Sequence, residues 1–233
     1  MRTIADVCSG AGVGITGYVD AGHDVALGID IVDQPHYPFR FYRDDGLAWL
    51  KRVQLGRVNM IHTSFPCTGF TGANHLAVAQ GKGWSEQEDL LTPGIAVLRE
   101  RFSGKVPWVV ENVERAKRFM QPQDGEQLLM LCGSMFPPYK MQRHRLFLIS
   151  GFTVPQPKCD HSRFEIDPDS GKPRPWGVYY APADSIPSGG RTALNAAHAH
   201  EVMGLDPARN LPWGAIKLGF QPAYTEHIGR SIT

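Results

Sequence analysis

The 233-residue chain carries almost no charge excess, with 24 Lys and Arg against 23 Asp and Glu and a formal net charge of +1. That balance argues against non-specific coating of a polyanion and leaves room for a local basic face only. No uninterrupted apolar run reaches about 18 residues, so no transmembrane helix is predicted. The opening Met1-Arg2-Thr3-Ile4-Ala5-Asp6 lacks the apolar stretch of a cleavable export signal, and a cytoplasmic location is expected. Cysteine is scarce: Cys8, Cys67, Cys132 and Cys159 are the four, with no CxxC pair among them. Reduced thiols are therefore expected, any of which could be reactive. No internal repeat or low-complexity tract occurs. The 42% of hydrophobic residues excludes disorder, and the length supports a core that needs neither disulfide nor metal.

What the chain has instead is alternation. Strand-like runs at Thr3–Cys8, Asp24–Ile29, Val58–Thr63, Val106–Glu111 and Arg145–Ile149 are separated by helix-like stretches. These are Gly12–Ala21, Gly46–Leu55, Leu91–Phe102 and Glu126–Leu131. The pattern predicts an α/β domain with a mainly parallel sheet and helices on both faces. From Gly151 to about Arg191 the chain is rich in proline and glycine and reads as a loop-rich insert; a helix is predicted at Thr192–Leu205. The expected organisation is a catalytic domain from residues 1–150 and 192–233, with the insert at 151–191.

Four local signals carry chemistry. Gly12-Val13-Gly14-Ile15-Thr16-Gly17 follows the first strand and matches G-x-G-x-x-G, with Asp30 at the tip of the second strand. Such glycines let backbone pass close to a ligand at a helix N-terminus, and the acid can accept from ribose hydroxyls. A dinucleotide and S-adenosylmethionine fit this motif equally well, and a tight strand–helix turn without ligand is the plain alternative. Pro66-Cys67 opens a Gly/Thr-rich loop at a strand's carboxyl end, where a partly exposed thiol can act as nucleophile. Cys8 and Cys132 sit in apolar contexts and read as buried small hydrophobes. Trp108-Val109-Val110-Glu111-Asn112 delivers a carboxylate and an amide at another strand end, and a desolvated Glu111 could donate a proton. Arg143 and Arg145 alternate at the start of an apolar strand, so both point to one side, suited to phosphate or a pyrimidine carbonyl.

Together these segments resemble the motifs of the DNA (cytosine-5) methyltransferases, in particular the short, phage-like members. Asp6-Val7-Cys8-Ser9-Gly10-Ala11-Gly12 resembles the family's first motif, with Gly28-Ile29-Asp30 after it. Pro66-Cys67 resembles the nucleophile loop, Glu111-Asn112-Val113 the ENV motif, and Gln142-Arg143-His144-Arg145 the QxRxR motif. Glu201-Val202-Met203-Gly204-Leu205 resembles the segment after the recognition region, and Pro222-Ala223-Tyr224-Thr225 the final motif. The likeness runs in family order over nearly the whole chain.

The resemblance implies a Rossmann-like S-adenosylmethionine-dependent methyltransferase fold with a small target-recognition insert. It implies that a flipped cytosine is attacked at C6 by Cys67, protonated or hydrogen-bonded at N3 by Glu111 and held at O2 by Arg145, while Arg143 positions the cysteine loop. Asn112 and Gln142 join the substrate set. Asp6, Cys8, Gly10, Gly12, Asp30, Ile31, Asp45, Pro66, Tyr224 and Thr225 form the implied cofactor set. Duplex DNA is the implied partner, with single strands as an alternative, and a monomer is expected. Restriction–modification or phage self-protection is the implied setting. Several residues depart from the family pattern: Cys8 replaces an aromatic, Asp30 a Glu, Phe65 and Thr68 flank Pro66-Cys67 unusually, and Thr225 replaces Asn. Other readings are a non-catalytic DNA- or cofactor-binding homologue, C5 modification of a free nucleotide, and a nicotinamide or flavin oxidoreductase.

The insert interleaves Lys158, Arg163, Lys172, Arg174 and Arg191 with Phe164, Trp176, Tyr179 and Tyr180, a mixture that suits phosphates and bases. Nearby acids nearly cancel its charge, and a loop packed on the core is the alternative. Lys82, Arg115, Lys117 and Arg118 could extend a phosphate-binding face. The short insert implies a short target or modest affinity. Cys159-Asp160-His161 and His198-Ala199-His200 hint at metal, but neither has the paired spacing of a zinc site, and no metal is expected.

Overall fold

The computed structural model describes residues 1–67, 89–139, 141–166, 168–169, 171, 174–177, 191–193 and 195–232, the side chains of 191 and 192 excepted. Thr68, Lys82, Lys172, Tyr179 and Tyr180 lie outside the described residues, as does the whole stretch 178–190.

Seven strands form one sheet: β1 (Thr3–Val7), β2 (Asp24–Asp30), β3 (Phe41–Arg43), β4 (Met60–Thr63), β5 (Trp108–Val113), β6 (Glu126–Leu131) and β7 (Arg145–Ser150). Their order is β3-β2-β1-β4-β5-β7-β6. The first five run parallel, and β7 runs antiparallel between β5 and β6. The chain leaves β1 towards β2 and β3, then returns to place β4 and β5 on the other side. The crevice at the carboxyl ends of β1 and β4 is therefore the topological switch point, where open α/β sheets bind ligands.

Period-two alternation sorts the sheet's side chains into two cores. Ala5, Val7, Ile61, Trp108, Val110 and Leu148 face helices α2 (Gly46–Arg52) and α3 (Leu91–Phe102), meeting Leu50, Leu91, Ile95 and Leu98. Ile4, Met60, Val109, Leu129, Phe147 and Ile149 face α1 (Thr16–Asp20) and the C-terminal helix, meeting Ile15, Tyr18, Tyr224 and Ile228. Burial on both faces explains why β4 and β7 are buried from end to end. Helix α4 (Ala196–Met203), capped by Asn195, and α5 (Trp213–Leu218) form a third cluster against Ala11 and Val13. Helix α6 (Pro222–Gly229) ends the fold. A two-stranded ladder joins β8 (Trp176–Gly177) to β9 (Arg191–Thr192).

Two elements differ from the sequence expectation. Glu126–Leu131 is a strand, not a helix. Its Glu, Gln, Leu and Met are good helix formers, but pairing with β7 along its whole length decides the matter. Arg99 reinforces that choice by holding the Glu126 carboxylate through two bonds of 2.9 and 2.8 Å. The short β3, parallel to β2, carries too few residues to show a period.

Gly17, the last glycine of the opening motif, serves helix packing. A Cβ there would lie 1.9 Å from the Pro222 carbonyl oxygen and 2.5 Å from Thr225 Oγ1. Since backbone must move to admit a methyl group, Gly17→Ala is expected to destabilise the fold by about 1–3 kcal/mol. Urea denaturation checks this, with an unchanged midpoint as the opposing result.

Candidate functional site

The turn after β1 is built for close approach. Gly10 and Gly12 adopt left-handed backbone (φ 51° and 64°), and so does Cys8 (φ 56°), a conformation that costs a non-glycine residue energy. The turn is fixed from several sides. Asp30 accepts from Gly10 N–H at 2.9 Å and Val32 N–H at 3.0 Å. Arg209 donates to the carbonyls of Ala11 (2.9 Å) and Gly12 (3.1 Å). Thr225 donates to the Gly14 carbonyl. Tyr37 packs over Gly28 and Gly12 and donates to Asp6 at 3.0 Å. Burial raises the Asp6 carboxyl well above its usual range; Tyr37 opposes that and the negative charge of Asp30 adds to it.

The turn lines a cavity of about 330 Å³. Asp6, Cys8, Gly10, Gly12 and Asp30 line it together with Pro66, Cys67, Glu111 and Arg145; the charges acting on Cys8 are those of Asp30, Asp6 and Asp45, and those acting on Cys67 are Glu111, Arg145 and Arg143, which sets the two groups apart. Four parallel strands, β1, β2, β4 and β5, thus deliver their carboxyl-end groups to one space, and Arg145 joins them from the start of the antiparallel β7. Arg145 Nε lies 2.9 Å from Glu111 Oε1, both side chains nearly buried. Burial raises the Glu111 carboxyl above its ordinary value, while Arg145, a hydrogen bond from Ser64, and Arg143 pull it back. Burial likewise raises the Cys67 thiol; Glu111 adds to that rise, and Arg145 and Arg143 oppose it. Cys8 is different. Burial and three nearby carboxylates push its thiol up to about 12, so it is a neutral wall group.

Several expected site residues hold the site together from outside the cavity lining. Asn112 donates from Nδ2 to the Phe65 carbonyl at 3.0 Å and accepts from Val113 N–H, which ties β5 to the residue before Pro66. Arg143, expected to help position the cysteine loop, donates to the carbonyls of Lys217 (2.8 Å) and Gly219 (2.5 Å). Tyr224 is fully buried and donates to the Arg143 carbonyl at 2.7 Å, and Thr225 is buried on the glycine turn. Neither lines the cavity, because α6 packs beneath the turn. The Asp45 carboxylate is taken up as the N-cap of α2, accepting from Ala48 N–H at 2.6 Å. Ile31 is 63% exposed beyond the strand tip, and Gln142 is exposed before β7.

Other lining residues were not singled out in the sequence. His62 and Ser64 follow from β4, and Gly219 and Phe220 come from the α5–α6 connection. His62 is buried, its pKa lowered by burial to about 3, so it stays neutral. It bridges Tyr18 Oη (3.1 Å) and Ser64 Oγ (3.4 Å). A polar strand residue four positions before Pro66 was the available signal.

A second cluster lies elsewhere. Cys132, His144, Cys159 and His161 bring one donor atom each within 4.8 Å of one another. The expectation of no metal weighed only neighbours in sequence, and these donors come from three segments. His200 is not among them: its Nε2 accepts from Leu211 N–H at 3.0 Å. His198 stacks edge-on against Trp176. In the insert, Arg163 donates to the Ser134 carbonyl at 3.0 Å and Phe164 is buried, so these two pack on the core.

No protein family profile matches the chain, and no curated protein matches it either. Solved structures do. One, described as a candidate DNA modification methyltransferase encoded within an E. coli prophage, superposes with a TM-score of 0.57 at 12% identity, covering 99% of this chain and 98% of that one. A mutant of Spodoptera frugiperda DNMT2 superposes with a TM-score of 0.50 at 14% identity, covering 100% and 96%. At such identities the likeness shows a shared fold, the Rossmann-like fold of these methyltransferase structures, spanning the chain from end to end.

Proposed function

We propose that this chain is an S-adenosylmethionine-dependent methyltransferase acting on C5 of cytosine in DNA. The observation that carries the reading is the single cavity lined by a glycine turn and Asp30 and by Cys67, Glu111 and Arg145. A nucleoside-bearing cofactor fits the first group: Gly10 and Gly12 present backbone without side chains, and Asp30 supplies an acceptor for ribose hydroxyls. When bound there, S-adenosylmethionine supplies an electrophilic methyl group.

The other group supplies the remaining chemistry from the chain's own residues. Cys67 as thiolate adds through Sγ to C6 of the cytosine, a covalent route that makes C5 electron-rich. Glu111 in its protonated form gives its proton to N3 as the electron pair moves into the ring. Arg145, held by its Nε–H contact of 2.9 Å to Glu111 Oε1, offers its remaining N–H groups to the base O2. After methylation at C5, a solvent water takes the C5 proton, the C5–C6 double bond reforms as Cys67 Sγ leaves as thiolate, and N3 returns its proton to Glu111. Such chemistry needs a base out of its stack, which the recessed cavity favours. The insert at 151–191 is the proposed DNA-reading segment, by its place in the chain and its basic and aromatic residues.

Binding separates this reading from an oxidoreductase. S-adenosylmethionine at about 100 times its Kd is expected to stabilise the fold by roughly 2.7 kcal/mol, and NAD to leave it unchanged. Asp30→Ala, which removes the ribose acceptor and the Gly10 N–H partner, is expected to weaken S-adenosylmethionine binding by at least about tenfold. Thermal-shift titration and calorimetry read both effects, and stabilisation by NAD alone would sink the proposal.

A further inference from the structure

We infer that Cys132, His144, Cys159 and His161 form a structural zinc site, separate from the cavity and not required by the proposed chemistry. Three sulfur–nitrogen distances lie close to those of a coordination tetrahedron. Zn–S bonds of about 2.3 Å and Zn–N bonds of about 2.0–2.1 Å at tetrahedral angles place sulfur and nitrogen about 3.5 Å apart. Cys159 Sγ lies 3.5 Å from His144 Nε2 and 3.1 Å from His161 Nε2. Cys132 Sγ lies 3.6 Å from His161 Nε2. Two soft thiolates and two imidazoles are a zinc donor set, and four protein ligands leave no open position, which marks a structural ion rather than a catalytic one. Two thiolates also balance the charge of the ion.

The surroundings complete the site. Both histidines present Nε2 inward. The outer Nδ1 of His144 lies 3.1 Å from Glu114 Oε2, a carboxylate–histidine arrangement that orients a ligand ring and raises its basicity. The two rings stack, with centroids 5.2 Å apart. Phe164 stacks on the outer face of His161 and shields the cluster.

The ligands explain what the ion would do. Cys132 follows β6, His144 stands between Arg143 and Arg145 just before β7, and Cys159 and His161 lie in the first residues of the insert. One ion would therefore join the far edge of the sheet, the arginine segment and the root of the insert. Gln127 and Gln156 already hydrogen-bond β6 to the first residues of the insert, and the ion would extend that seam to the arginine segment. This assignment stands whether or not the chain methylates DNA, because it rests on the ligand geometry alone.

The test is metal analysis of the full chain purified without chelator. One zinc per chain is expected, retained in His198→Gln and lost in Cys159→Ser. Glu114→Gln is expected to weaken zinc binding about 10–100-fold. Should Cys159→Ser fail to fold, cobalt replacement in the unaltered chain decides: a tetrahedral d–d spectrum with thiolate charge-transfer bands is expected, together with a fall in Tm on chelation. Iron in place of zinc, less than stoichiometric metal, or a cobalt spectrum without thiolate bands would overturn the assignment.

Discussion

Cys67→Ser is expected to lower methyl transfer by about 10⁴-fold or more and to abolish covalent trapping on duplex DNA containing 5-fluorocytosine. A hydroxyl in this position is far less nucleophilic than a thiolate, and a nucleophile that acts as one unit with its acid and its positioning group leaves little residual rate when removed. Fluorine at C5 cannot depart as a proton does, so an enzyme that adds to C6 stays bonded to the base. The adduct seen on denaturing gels, and its loss in the serine variant, reads the covalent step apart from turnover. Cofactor binding should survive the substitution, because Asp30 and the glycine turn are left unchanged. An adduct that persists in Cys67→Ser, or one that maps to Cys8, would contradict the assignment. Cys8 is held neutral by burial and by the carboxylates of Asp30, Asp6 and Asp45.

Glu111→Gln is expected to have two effects of opposite sign. Losing the proton donor should cut methyl transfer by about 10²–10⁴-fold. Removing the carboxylate should at the same time make the Cys67 thiolate easier to form. Burial comes first among the causes that raise this thiol, and Glu111 adds to it, while Arg145 and Arg143 work against both. Without Glu111 the opposing cations remain and the thiol's pKa falls. Alkylation of Cys67 at neutral pH, followed by peptide mass spectrometry, should therefore be faster in the variant that transfers methyl more slowly. In the unaltered protein the thiol lies above its ordinary value, so the thiolate is the minor form at pH 7. The rate of alkylation should then rise with pH throughout the neutral range. A variant in which both rates fall together would show Glu111 acting through the fold instead.

Legibility in the sequence followed physical range. The strands of the parallel part could be read because burial on both faces demands near-continuous apolar runs. Asp30, Cys67, Glu111 and Arg145 could be read for the same reason, each being a polar group at the boundary of such a run. The topology then carries them to one crevice. What sequence could not show was set by pairing or packing at a distance. β6 is a strand because β7 lies beside it. That Tyr224 and Thr225 hydrogen-bond to the Arg143 and Gly14 carbonyls, and that Asp45 caps α2, is likewise set by packing. Arg209 clamps a turn almost 200 residues away. Cys159 lies 15 residues from His144, and Cys132 29 residues from His161, separations that only the fold brings together.

The central claim is that the chain places a methyl group on C5 of cytosine in DNA. Unmethylated duplex DNA incubated with the protein and methyl-labelled S-adenosylmethionine, then digested to nucleosides, tests it most directly by mass spectrometry. Label in 5-methyl-2′-deoxycytidine, absent with Cys67→Ser, is the result the structure leads us to expect. Label on an exocyclic amine of cytosine or adenine, or none with cofactor-saturated protein, would contradict it.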